Sequence, residues 1–559
     1  MRSKKFRSCW VCILFSCAII FCRTGQALSP TIEPSATAQK TDTLTASPVP
    51  TGTKTITATR KIRPTSTPRP TSTQTRTFTV TNTPLPVSQQ GPWLVLGTED
   101  GLWAVNADGT GLRRIVDVPD EYMNQNILDN PTYINYEPAP RGGRLAFTLN
   151  DPQTGGYYST EHFLENPPNL YILDFPDLSA VKITSLLDRD QVETLLAEKT
   201  EEELEWEMWK SLRTVEAAVT RPGSLAWSNG GRQLAFAAVK DGPSADVYHF
   251  DLGTLAITRL TSGDDTQAVN LSWSPDDRYV LHDAASFINI GSSGPMMESD
   301  GIWAASADGL DVHQFLSGDD FLIRWLSNDT LLAASYALYC GAYRLMKVNY
   351  LSAEQWIVWP EMFDTADADP ETGVILVGSS IIEEIPEKFG CPPLAEAGMY
   401  ILEGPYALPR RIGNFTVDSW LTPDYIYWSS ILRKFLVQSS EGIVTVSTSG
   451  EVSDPITIGT SIDSILFSLP HISPSGRYWA IPPNRHAGVW VRMPDGEIIE
   501  VYDGLACNVT WRPDDGGFFF YGGDMPKTLY WAEAPDFQLR EVASGMSLSC
   551  ESYPRWVMP

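Results

Sequence analysis

The stretch LSWSPDDRYVL (271–281) shows the local pattern on which the fold of this chain depends. An apolar segment ends at Trp273, a run of turn-forming residues follows, and a second apolar segment begins at Tyr279. Ser, Pro and Asp favour tight turns, whereas aromatic and branched residues favour strands. The stretch therefore predicts two antiparallel strands joined by a short turn.

This phrase recurs along the chain. Its copies are SLAWSNGGRQLAFAA (224–238), HISPSGRYWAI (471–481), VTWRPDDGGFFFY (509–521), YEPAPRGGRLAFTL (136–149), RWLSNDTLLAAS (324–335), YWSSILRKFLVQ (427–438) and DADPETGVILVG (367–378). A second phrase, in which an aromatic strand precedes Asp-Gly, recurs in GLWAVNADGTGLRRI (101–115), DGIWAASADGLDVHQF (300–315) and GVWVRMPDGEIIEV (488–501). Together they predict four-stranded antiparallel units of about 45–50 residues, the period of a β-propeller blade.

The repeats predict an all-β fold, a single β-propeller over residues 91–559 with about eight (7–9) four-stranded blades. The segment WLVLGT (93–98) has no first-strand phrase before it. We expect the C-terminal segment YPRWVMP (553–559) to supply that strand and close the ring.

The motifs Trp273-Ser274-Pro275-Asp276 and Asn106-Ala107-Asp108-Gly109-Thr110-Gly111 resemble TolB-type propeller repeats. The resemblance covers nearly all of 91–559 and implies the propeller fold. Similar propellers serve as binding platforms, enzyme scaffolds and substrate gates, so the resemblance implies no single function.

Residues 1–27 have the order of a secretory signal, with a basic segment before the apolar run 9–22. That run is shorter than the ~20 residues that span a bilayer, which favours cleavage after Ala27. Cys17 and Cys22 each end a segment similar to a bacterial lipobox, although a bulky Phe replaces a small residue. The sequence thus predicts an exported bacterial protein, extracellular or at the cell surface, and leaves lipid attachment open.

Residues 28–90 are predicted to be a disordered stalk, because 34 of these 63 residues are Ser, Thr or Pro. The segment after position 90 has 29 basic and 66 acidic residues. A body with this negative charge repels phosphate backbones, which argues against nucleic-acid binding.

Four cysteines follow the predicted signal, and an even number in an exported protein predicts disulfides. Their similar positions in successive units predict the pairs Cys340–Cys391 and Cys507–Cys550. No CxxC pair occurs in the body, which disfavours a cysteine-based zinc site.

In a four-stranded blade, the first and third turns lie on one face, here called the short-turn face. The second turn and the link to the next blade lie on the opposite, long-loop face. The predicted insertions all fall on the long-loop face, at 151–168, 187–216, 287–299 and 381–397. The insertion 187–216 is predicted to contain a helix, because Thr200 and Glu203 form a capping box before a helical apolar stripe.

Aromatic and adaptable side chains on these insertions are the candidate binding residues, since exposed aromatic residues often anchor partners or sugars. They are Tyr157, Tyr158, His162, Phe163, Trp206, Trp209, Met297 and Glu298. The alternative is that the helix and loops pack these side chains against the propeller.

Catalytic motifs are not evident in the sequence. It has no GxSxG or HExxH pattern, and its six histidines are dispersed among separate units. Some TolB-like propellers are metal-dependent lyases, but their metal ligands do not map onto this sequence. The run DTADADPETG (364–373) has the alternating carboxylates of a calcium loop, but its place in the repeat favours a turn. We assign no catalytic residue, metal ligand or cofactor.

These observations predict a non-catalytic, surface-tethered propeller that binds an unknown protein or cell-envelope glycan through its long-loop face. We expect a monomer that contacts the membrane only through its N-terminal signal or lipid. The alternative is a carbohydrate-active enzyme, a polysaccharide lyase or glycosidase with an axial site. A third hypothesis is an envelope assembly factor of the TolB kind.

Overall fold

The computed structural model describes residues 88–559 except 99, 118–133, 151–167, 189, 191–217, 220–221, 243, 264–265, 290–294, 338–339, 381–390, 394, 405–407, 415–425, 440–441, 458–468, 483–486, 524–526, 549 and 551–552. The strands are β1 (Trp93–Thr98), β2 (Gly101–Asn106), β3 (Arg113–Asp117), β4 (Tyr136–Pro138), β5 (Arg144–Asn150), β6 (Pro168–Asp174), β7 (Ser179–Ser185), β8 (Leu225–Trp227), β9 (Gln233–Ala238), β10 (Asp246–Asp251), β11 (Ala256–Arg259), β12 (Gln267–Trp273), β13 (Tyr279–Asn289), β14 (Pro295–Ser306), β15 (Val312–Ser317), β16 (Asp320–Trp325) and β17 (Thr330–Ala337). They continue as β18 (Gly341–Asn349), β19 (Glu354–Phe363), β20 (Thr365–Ala368), β21 (Ile375–Ser379), β22 (Gly398–Leu402), β23 (Arg410–Gly413), β24 (Ile426–Ser429), β25 (Lys434–Ser439), β26 (Gly442–Val446), β27 (His471–Ile472), β28 (Trp479–Ile481), β29 (Ala487–Arg492), β30 (Ile498–Trp511), β31 (Gly517–Gly522), β32 (Lys527–Glu533), β33 (Gln538–Met546) and β34 (Arg555–Val557).

The strands form antiparallel meanders in chain order. The described residues contain eight hydrogen-bonded sheets, most of four strands. In the seven-stranded sheet, the long strand β30 pairs first with β29 and then with β31, so it serves two meanders. Among the described residues, the eight sheets thus contain nine meanders.

We number the meanders as units around the ring. Unit 1 is β34 with β1–β3, unit 2 is β4–β7, unit 3 is β8–β11, unit 4 is β12–β15, unit 5 is β16–β19, unit 6 is β20–β23, unit 7 is β24–β26, unit 8 is β27–β29 with the first part of β30, and unit 9 is the rest of β30 with β31–β33.

The two ends of the described chain meet in unit 1. Strand β34 pairs antiparallel with β1, so that Trp93 lies opposite Val557 and Val95 opposite Arg555. The predicted closure by the C-terminal segment is therefore confirmed. It removes an unpaired sheet edge at the point where the ring would otherwise be open.

Burial follows the position of a strand within its unit. All six residues of β1 and all six of β31 are buried, whereas every residue of the outer strands β11 and β33 is exposed or half-buried. Apolar clusters fill the spaces between neighbouring sheets, and the inner strands of successive units contact one another. Sheets stacked face to face in a closed series form a β-propeller.

In several units, the tryptophan of the repeated phrase joins the unit to the one before it. The indole nitrogens of Trp227 and Trp273 donate to the backbone oxygens of Glu137 and Ala226, each at 2.9 Å. Trp511 donates in the same way to His471 O at 2.7 Å. The residue that ends the inner strand in the sequence thus also fixes its register against the preceding unit.

One expected insertion forms a hairpin, and another lies mostly outside the described residues. The segment 287–299 is not an irregular loop: β13 and β14 extend as a hairpin, with backbone pairs from Ala285 with Ser299 to Asn289 with Pro295. The helix predicted within 187–216 lies outside the described residues, apart from 187, 188 and 190. In the part of the chain that is described, no helix is long and apolar enough to cross a membrane.

Candidate functional site

The observed strand order confirms how the connections divide between the two faces. Tight turns close the short-turn face, such as Ser274–Asp277 and Ser306–Gly309, each with a backbone hydrogen bond between its end residues. The connections β5–β6, β7–β8, β13–β14 and β21–β22 leave the opposite ends of their strands. The predicted insertions therefore do attach to one face.

The predicted aromatic rim falls on segments that the structure does not describe. Tyr157, Tyr158, His162 and Phe163 lie in the connection β5–β6, and Trp206 and Trp209 in the connection β7–β8. Both connections begin and end at the long-loop face. Whether these side chains come together stays a prediction.

The last two predicted residues lie on the extended hairpin of unit 4. Met297 is paired through its backbone with Phe287, and Glu298 is paired with Ser286 and exposed. The hydroxyl of Ser286 donates to the carboxylate of Asp300, which joins the hairpin strands near its base. Glu298 is therefore presented by a paired strand and not by a loop.

Both predicted disulfides are present, and both lie at the long-loop face. Cys340–Cys391, with Cα atoms 5.5 Å apart, joins the connection β17–β18 of unit 5 to β21–β22 of unit 6. Cys507–Cys550, with Cα atoms 5.7 Å apart, joins unit 9 to the link that precedes β34. Each disulfide therefore fixes two neighbouring units at the face where the long connections leave the sheets.

A recurring polar position on the inner strands was not recognised in the sequence. Asn270 and Asn508 each lie three residues before the phrase tryptophan, at a β-bulge, with φ of 55° and 58°. Asn135 and Ser224 occupy the same position in units 2 and 3, and the Asn135 amide donates to the Ser224 hydroxyl at 2.8 Å. The signal was the Asn in NLSW (270–273) and NVTW (508–511).

A buried ion pair joins the inner strands of units 5, 6 and 7. Arg324 donates from Nε and Nη2 to the two carboxylate oxygens of Asp367, at 2.6 and 2.8 Å. Asp367 also accepts the backbone N–H of Trp428 at 2.6 Å. The Arg324 guanidinium lies 5.6 Å from the ring centre of Tyr427, whose pKa is raised by burial.

The carboxylates of the run 364–373 serve separate purposes. Asp367 is in the ion pair with Arg324, and Asp364 accepts the backbone N–H of Ser380. Burial raises the pKa of Asp364. Asp369 accepts the backbone N–H of Glu371 at 3.0 Å, so this part of the run is a turn, as predicted.

The histidines also lie apart. His249 is on the third strand of unit 3, His282 on the second strand of unit 4, and His471 on the first strand of unit 8. Burial lowers the pKa of both His282 and His471 to about 4. Among the described residues, no group of three or more His, Cys, Asp or Glu side chains is placed to hold a metal ion.

No protein-family description matches the sequence, and no curated protein matches it. Several solved structures are similar at a distance. An oligogalacturonate lyase in complex with manganese has 14% identity, covering 56% of this chain and 88% of its own, with a TM-score of 0.33. A eukaryotic initiation factor has 11% identity, covering 84% and 99%, with a TM-score of 0.43. TolB from Acinetobacter baumannii has 13% identity, covering 66% and 64%, with a TM-score of 0.26. The propeller architecture itself is defined by the strand pairing described above.

Proposed function

We propose that this chain is an exported, surface-tethered β-propeller that binds a protein or glycan partner through its long-loop face, without catalysis. The observation that carries the proposal is where the chain joins the ring. Trp93, the first residue of β1, lies opposite Asn106, which begins a tight turn on the short-turn face. The long-loop face therefore points away from the segment that precedes β1. On a stalk formed by residues 28–90, that face would point away from the anchor.

The long-loop face is also the reinforced one. Two disulfides cross-link neighbouring units there, and the hairpin β13–β14 projects from it as a paired element. Disulfides are typical of exported proteins, where the environment keeps them oxidised. Binding at a rigid element costs less conformational entropy than binding at a free loop, because the loop must be ordered on association.

Several charged groups of the kinds that enzymes use in catalysis instead hold the ring together. Asp367 is paired with Arg324, and Glu137 with Arg555 on the adjoining inner strand. His313 contacts the backbone oxygen of Tyr350 at 2.7 Å, between units 4 and 5. These bonds favour a scaffold role for the described acids and for this imidazole.

The test compares binding by the purified exported chain and two variants. The double variant W206A/W209A removes the predicted aromatic anchors, and L310S alters an exposed leucine on the short-turn face as a matched control. Bound protein is measured on bacterial envelope fractions, untreated, protease-treated or glycan-depleted. We expect W206A/W209A to reduce binding at least about 10-fold, the scale of an aromatic hot spot, with unchanged thermal stability.

The two treatments identify the partner as protein or glycan. Equal binding by all three proteins would contradict the role of the long-loop face. Shortening of an envelope or plant polysaccharide during the incubation would replace the proposal with the carbohydrate-active enzyme.

A further inference from the structure

A cleft of about 720 Å³ lies between units 7 and 8, and most of its lining belongs to strand ends and turns at the short-turn face. Its rim includes Leu432, in the first turn of unit 7, and Gly496, in the third turn of unit 8. This volume is within the range of small-ligand pockets, about 300–1,000 Å³. The cleft is thus remote from the predicted rim on the long-loop face.

Packing explains why a cleft forms at this interface. The outermost segment of unit 7 is not a regular strand: it contacts β26 through isolated bridges, at Ile456 with Ile443 and at Val452 with Val446, and through hydrogen bonds between Ser453 and Thr445. Ile472 of unit 8 takes the place that a tryptophan has in the repeated phrase. The fully buried apolar contact here involves only Ile443 and Ile481 among the described residues. Among the described residues, the two units therefore pack loosely against each other near the short-turn face.

Two cations line the cleft without carboxylate partners. The Arg492 guanidinium carbon lies 4.9 Å from the ring centre of Trp479, and Lys434 is exposed across from it. Neither forms an ion pair with any residue that the structure describes, whereas Arg433, next in sequence to Lys434, pairs with Glu371 at 2.5 Å. Asp454 is the single acid among the described residues of the lining, whose charge is net positive in a strongly acidic body.

We propose that this cleft binds an acidic, extended peptide segment of a partner protein through a carboxylate side chain. The planar guanidinium fork matches a carboxylate, and stacking on an aromatic ring holds it ready to donate. Ile456 and Ile498 give the cleft an apolar wall for a neighbouring side chain of the peptide.

The same geometry disfavours a sugar as the ligand. Trp479 is only 6% exposed, and Arg492 lies over its ring. The indole is therefore not available as a stacking platform for a pyranose. Recognition in this cleft depends on charge and on the apolar wall. The site is independent of the long-loop face, so either proposal can fail without the other.

The experiment measures fluorescence anisotropy of a labelled hexapeptide of alternating Leu and Glu with the full chain at low salt. The alternating Leu–Gln hexapeptide is the uncharged control. We expect saturable binding of the Leu–Glu peptide that weakens with added salt, because exposed charges are screened. R492Q should weaken binding about 10-fold or more, the scale of a hydrogen bond to a charged group.

Three further variants sharpen the result. R492K keeps the charge but loses the fork, so its loss should be intermediate, and K434Q should also weaken binding. R477Q is the matched control, because Arg477 stacks on Tyr478 at 5.4 Å but does not line the cleft. No saturable binding, equal binding of the Leu–Gln peptide, or an equal loss in R477Q would overturn the proposal. Preference for a uronate trisaccharide over the peptide would overturn the peptide assignment.

Discussion

Replacing Asp367 with alanine removes the carboxylate that joins three units of the ring. Asp367 accepts two hydrogen bonds from Arg324 and one each from the backbone N–H groups of Trp428 and Ala368, all between 2.6 and 2.8 Å. It is 5% exposed, so the variant removes a buried acceptor from the Arg324 guanidinium and from two backbone N–H groups.

The expected loss follows from this burial. Removing one partner of a buried ion pair costs about 3–5 kcal/mol, because the other charge stays desolvated. The Arg324 side chain keeps 23% exposure, so water relieves part of the penalty. We therefore expect D367A to lower the free energy of unfolding by about 3 kcal/mol, the lower end of that range.

A matched ion pair a few residues away serves as the control. Glu371 and Arg433 are 2.5 Å apart, but their side chains are 68% and 66% exposed. Exposed pairs contribute about 0–1 kcal/mol, so E371A should have little effect. Urea denaturation followed by tryptophan fluorescence measures both variants. If D367A costs no more than E371A, burial does not govern the strength of these pairs and our reasoning about the inner strands is wrong.

Three other perturbations test the ring. The double variant C507S/C550S should have a free energy of unfolding about 4 kcal/mol lower, by the loop-entropy relation for a separation of 43 residues. Urea denaturation measures it against the oxidised protein. No loss would show that strand pairing alone closes the ring. Burial lowers the pKa of His282 to about 4, below the ~6.5 of an unfolded histidine. The contribution of neutral His282 to the free energy of unfolding is therefore fully present above pH 6.5 and declines between pH 6.5 and 4. The His282 part of the decline should reach about 1.4 kcal/mol per pH unit and be lost in H282Q, whereas His471, whose pKa is also lowered to about 4, keeps its part in both proteins. Parallel pH profiles of the two proteins would contradict the prediction. W511F removes the indole donor to His471 O, so the carbonyl loses this partner. The free energy of unfolding, measured by urea denaturation, should fall by about 1–3 kcal/mol. A neutral effect would mean that the bond does not stabilise the interface.

The repeated phrase predicted the inner strands because its chemistry is local. Trp273 ends a strand, and the following turn closes through a backbone hydrogen bond. The same strand and turn occur at Trp227 and Trp511. The disulfides could also be predicted from the sequence, because equivalent positions in adjacent repeats become neighbours once the units are stacked.

Other features depend on contacts that local patterns do not encode. The segment 287–299 contains Gly, Ser and Pro, which suggested a loop, whereas backbone pairing across β13 and β14 extends the hairpin. The sequence also did not show that one strand, β30, spans two meanders without a turn. The cleft beside Arg492 arises from how two sheets face each other, which the sequence of either unit does not reveal.

The closure of the ring also has a mechanical consequence. Strand β1 is held on one side by β2 over Trp93–Thr98 and on the other by β34 over Trp93–Val95. A force applied through the residues before Trp93 acts along β1, so it loads both hydrogen-bond ladders in shear and does not peel them open one bond at a time. The Cys507–Cys550 bond then transmits part of that load covalently into unit 9. If the domain is held by this end, the whole first sheet carries the force of fluid flow, and the outermost turns carry little of it.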